Sequence, residues 1–130
     1  MKIALFAAAA ALIVSPALIA PAMADVAAEL SIGQNHAGMA ATATDIAKVH
    51  MHLQHAVNCM VGPSGSGFNA APGNPCAKAG NGAIPDSMDS AQKAKLQNAV
   101  STAQAGIAST DLAAAQKDAQ ETADMIGTAK

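Results

Sequence analysis

The stretch QNHAGMAATATDIAKVHMHLQHAVNCM, residues 34–60, decides the fold of this chain, because it carries all four histidines and a sustained apolar seam. His36, Met39, Ala43, Ile46, His50, Leu53, Val57 and Met60 recur at alternating spacings of three and four. That period belongs to one face of an α-helix, whereas a half-buried strand alternates every second residue. The spacing predicts one long helix over 34–60, stopped by Gly62 and Pro63. Gly33 separates it from a short helical turn over 26–32.

Downstream, residues 61–85 (VGPSGSGFNAAPGNPCAKAGNGAIP) have neither helical nor strand period and read as one long loop. Loops of that length are uncommon in compact domains unless something pins them. Cys59 and Cys76 are the only cysteines, so a single intramolecular disulfide is available, and it would close this loop. Such a bridge stabilises a fold by about 3 kcal/mol on the loop-entropy account. Phe68 is the natural apolar plug for folding the loop onto the helices.

A helical hairpin follows. Asp86 is the expected cap of its first helix, with Asp89 in the first turn and Leu96, Ala99, Val100, Ala103 and Ile107 as the buried stripe. The second helix starts at Ser109 or Thr110 beside Asp111, with Leu112, Ala115, Ala119, Thr122 and Ile126 facing inward. No stretch alternates with period two. The fold class is therefore all-α: a small helical bundle of three or four helices with one long disulfide-pinned loop.

Upstream, Lys2, the apolar run from Ile3 to Ala20 and the small residues Ala22 and Ala24 read as a signal peptide over 1–24, removed after Ala24. Residues 25–130 then form a single domain in a periplasmic or secreted setting, where a disulfide persists, with no stable membrane anchor left after cleavage. The chain has 130 residues, a net charge of -2 and no arginine, which excludes a nucleic-acid footprint. Outside the signal, Phe68 is the only aromatic residue and alanine dominates the apolar positions. The core is thin on that composition, which favours a homo-oligomer or a periplasmic protein partner.

On a single helix the histidines divide between two faces. His52 and His55 lie with Asp45, Lys48 and Cys59 on the outer face; His36 and His50 lie on the seam, with Met39 one turn from His36. Imidazole and carboxylate suit copper, zinc or nickel, and a His and Met set suits copper. A half-cystine offers no thiolate, so Cys59 is removed from the ligand set. The metal candidates are His52 and His55 first, then His50 and Met39, with His36 and Asp45 completing the set. No Cys-x-x-Cys-His is present, which excludes covalent haem, and one aromatic makes a poor lining for non-covalent haem. The dinucleotide-like GSGFNA at 65–70 follows a helix instead of a strand, and no P-loop occurs. No nucleophile and base pair stands beside a readable oxyanion pocket, so no enzyme is expected. The expected function is an exported, non-catalytic binder of copper or a similar transition ion. The alternatives are a metal-free adaptor or chaperone-like module and a non-covalent haem binder.

Overall fold

The computed structural model describes residues 24–130, and every regular element in that span is a helix. The signal-peptide expectation lies outside the described residues, apart from Ala24. In chain order the elements are α1 (Val26–Thr42), α2 (Ile46–Val61), the single turn α3 (Ala83–Asp86), α4 (Ser90–Ala108) and α5 (Leu112–Thr128). None of the described helices is long and apolar enough to cross a membrane.

The single helix expected over 34–60 is two helices. The chain leaves α1 at Ala43 in extended backbone and restarts at Asp45, whose carboxylate accepts the Lys48 N–H at 2.9 Å. An N-cap of this kind satisfies donors that a continuing helix would have bonded internally. All four long helices start the same way: Asp25, Asp45, Asp89 and Asp111 each accept backbone N–H groups of the first turn. Asp89 therefore takes the capping role expected of Asp86, and Asp111 the one expected of Ser109 or Thr110. Asp86 ends α3 and accepts from the Asn81 backbone and side chain. Ser109 instead closes the C-terminus of α4.

The long helices form a ring in which α1 packs on α2 and α5, and α4 packs on α5 and α2. Neighbours run antiparallel. Gln34 Nε2 donates to Ala123 O and Gln116 Nε2 to Ala43 O across α1 and α5, while Gln92 Nε2 donates to Ala129 O across α4 and α5. The turns at 43–45 and 109–111 lie at one end, where His50 Nε2 donates to Ser109 O at 2.9 Å. The long connection and α3 close the other end.

Leu30, Val49, Leu53, Val57, Met60, Leu96 and Ile126 fill the interior, with alanines at most remaining inward positions. Small inward residues let helix axes approach closely. This is marked between α1 and α2, where Gly33, Ala37, Ala40 and Ala56 are buried and a Cβ on Gly33 would meet Cys59 Cβ at 3.3 Å. Cys59 and Cys76 are bonded, and Phe68 packs partly buried against the core. At the loop end, buried Glu29 accepts the Gly82 N–H at 2.7 Å, and loss of solvent raises its carboxyl pKa.

Candidate metal centre

Folding residues 34–60 into a hairpin changes which histidines meet. The turn at 43–45 lays α1 back along α2, so His36 faces His52 and His55 instead of pointing along a separate seam. The close α1–α2 approach over Ala37 and Ala56, which cluster with Ala123 of α5, brings the rings into contact. Ring centroids are 5.5 Å apart for His36 and His52, 4.7 Å for His36 and His55, and 5.9 Å for His52 and His55. One ligand atom from each imidazole lies within 4.8 Å of the other two, a group that could hold a metal ion.

The hydrogen bonds fix part of the proton arrangement. His55 Nε2 lies 2.8 Å from Pro72 O. A carbonyl only accepts, so Nε2 carries the proton and Nδ1 carries the lone pair. That Nδ1 is buried and has no hydrogen-bond partner. His36 Nδ1 and His52 Nδ1 are 3.2 Å apart, so one ring donates to the other while both are neutral.

Two of the rings favour the uncharged form. Burial, and then the neighbouring His55 and His52, lower the His36 pKa from 6.5 to about 4. Burial and His55 lower that of His52 as well. A neutral imidazole is the form that ligates a metal, so these rings need not lose protons to bind one at neutral pH.

The other sequence candidates stand elsewhere. His50 is used by the turn between α4 and α5 through Ser109 O. Asp45 caps α2 and pairs with Lys48, Oδ2 to Nζ 3.1 Å. That ion pair engages the Lys48 ammonium, and the lysine side chain is 63% exposed. Met39 is exposed on α1. Cys59 is in the disulfide, as the ligand argument required. The space between the long helices is filled by the core side chains Leu53, Met60, Leu96 and Ile126.

Asn58 was not singled out by the sequence. It is fully buried on α2, and its amide organises the long loop. A buried polar residue inside an apolar helical face was the available signal, since such a group needs partners from elsewhere in the chain. Comparison of the chain with protein-family models, curated proteins and solved structures finds no match.

Proposed function

We propose that this protein is an exported, non-catalytic transition-metal binder that holds one ion, copper or zinc, through His36, His52 and His55. The observation that carries the reading is the convergence of three imidazoles from two helices, with ligand atoms within 4.8 Å of one another. The buried, unpartnered Nδ1 of His55 supports it, because an orphaned lone pair in a protein interior costs free energy that a ligated ion would recover. Three imidazole donors suit copper, zinc and nickel better than the hard oxygen-seeking cations. Three protein ligands also leave a coordination position for water or an incoming group. A disulfide-bonded bundle of this kind fits an oxidising compartment, consistent with a periplasmic or secreted site of action.

Calorimetric titration of the purified, metal-free chain with zinc(II) and copper(II) tests this. The expected result is one ion per chain, with affinity reduced at least tenfold by His36→Ala, His52→Ala or His55→Ala and left unchanged by His50→Ala. Loss of binding in His50→Ala with retention in His36→Ala would move the site to the seam. No binding by the parent chain would end the metal reading and favour the adaptor alternative.

A further inference from the structure

The three-histidine reading leaves open what selects the ligating nitrogen of His55. The loop segment 69–73 crosses α2 beside it and is tied down by Asn58. Asn58 Nδ2 donates to Asn69 O at 2.7 Å and to Gly73 O at 2.8 Å. Its Oδ1 accepts from Asn69 N and from Gln54 Nε2, both at 3.0 Å. Every hydrogen-bonding position of a fully buried amide is thus committed to holding this loop or the side chain next to it. Between the two carbonyls bound by Asn58 lies Pro72, whose own carbonyl receives the His55 Nε2 proton. The adjacent residue, Cys59, ties the same loop to α2 a second time through Cys76.

We propose that segment 69–73, held by Asn58 and by the Cys59–Cys76 bond, is the outer shell of the metal site. Asn58 is then a positioning residue that sets His55 to ligate through Nδ1. The inference rests on the metal-binding reading above. Its chemistry is general: a ligating histidine almost always donates its second ring N–H to a carbonyl, carboxylate or water, which fixes the tautomer and makes the ligand nitrogen more basic. Here that acceptor is a loop carbonyl with no secondary structure of its own to hold it. The buried amide and the disulfide supply what a helix or strand would otherwise provide.

The test begins on the unmodified chain. Long-range proton–nitrogen NMR of the ¹⁵N-labelled protein is recorded without metal and with zinc(II). The expected spectra show a protonated His55 Nε2 in both states and an Nδ1 resonance that moves on zinc addition. Two variants follow, Asn58→Ala and the pair Cys59→Ala/Cys76→Ala, with helix content followed by circular dichroism. Each is expected to weaken zinc binding roughly ten- to a hundredfold at retained helix content, and to mix the His55 tautomers. Zinc bound through His55 Nε2, or full affinity in folded forms of both variants, would overturn the outer-shell role while leaving the three-histidine site standing. If Asn58→Ala does not fold, the tautomer of the parent chain and the cysteine pair decide. A parent chain whose three histidines do not respond to zinc or copper would overturn the metal reading together with this one.

Discussion

Burial and the crowding of neighbouring rings favour the neutral form of His36 and His52, and this has a measurable consequence in the metal-free protein. His36 is held at about 4 in the fold against 6.5 for a free side chain. A base with a lowered folded pKa binds fewer protons than the unfolded chain does, so its contribution to stability is complete above about pH 6.5. It is lost progressively as the pH falls toward 4. His52 is shifted in the same direction. Urea midpoints measured between pH 7.5 and 5.5, above most carboxylate titration, should therefore fall as the pH falls. The expected loss is on the order of 1 kcal/mol after allowing for the partial exposure of the rings. A His36→Gln variant should show a shallower slope, and equal slopes would refute the clustering. The residue types of this site were legible in the sequence, since four histidines crowd into one stretch of a chain with few charges. Their partition was not: His36 was separated from His52 and His55, and His50 was included, because both assignments assumed an unbroken helix.

At the level of elements, that assumption failed at three residues. The counted seam crosses the turn at Ala43, yet on α1 it runs beside the buried face, which is Leu30, Gly33, Ala37 and Ala40, and leaves Met39 exposed. The period alone does not distinguish one helix from a hairpin. The distinguishing mark was Asp45, a capping residue directly before an apolar run, of the same kind that begins α1, α4 and α5. Read as a cap, it breaks the helix in the right place. Asp45→Ala should lower the chemical-denaturation midpoint, because the Lys48 N–H loses its capping acceptor, and an unchanged midpoint would show that the cap contributes nothing. A second element-level expectation concerns the approach of α2, α4 and α5. A Cβ on Gly106 would lie 2.7 Å from Leu53 Cδ1 and 3.1 Å from Asp118 Cβ. Gly106→Ala should therefore destabilise by about 1–3 kcal/mol through overpacking, despite the better helix propensity of alanine. A neutral or stabilising result would show that α4 can shift away from its neighbours freely.

For the molecule as a whole, the all-helical class, the hairpin after the loop and the Cys59–Cys76 bond were readable from periodicity and from the count of cysteines. The buried stripe Leu96, Ala99, Val100 and Ala103 was readable in the same way. The course of the long loop was not, because its order comes from Asn58, a residue of α2 whose loop partners are backbone groups without side-chain identity. With a core built largely from alanine, the covalent tie should carry a large share of the stability. Replacing both cysteines by alanine should cost about 3 kcal/mol, measured by urea unfolding against the oxidised parent. A much smaller change would mean that the loop is held by its hydrogen bonds alone.

The turn at 43–45 joins the α1 histidine to the two on α2, so an ion bound among them would cross-link the chain from residue 36 to residues 52 and 55. The disulfide begins four residues further on and runs to 76. Metal and disulfide together would link α1, α2 and the loop in series, making a single cooperative unit of a region that otherwise opens in parts. Amide hydrogen exchange can observe this directly: zinc should slow exchange along both arms of the hairpin and into segment 69–73 by a common factor, while α4 and α5 respond less. Slowing confined to the amides beside the three rings would show an ion that occupies the site without coupling its surroundings.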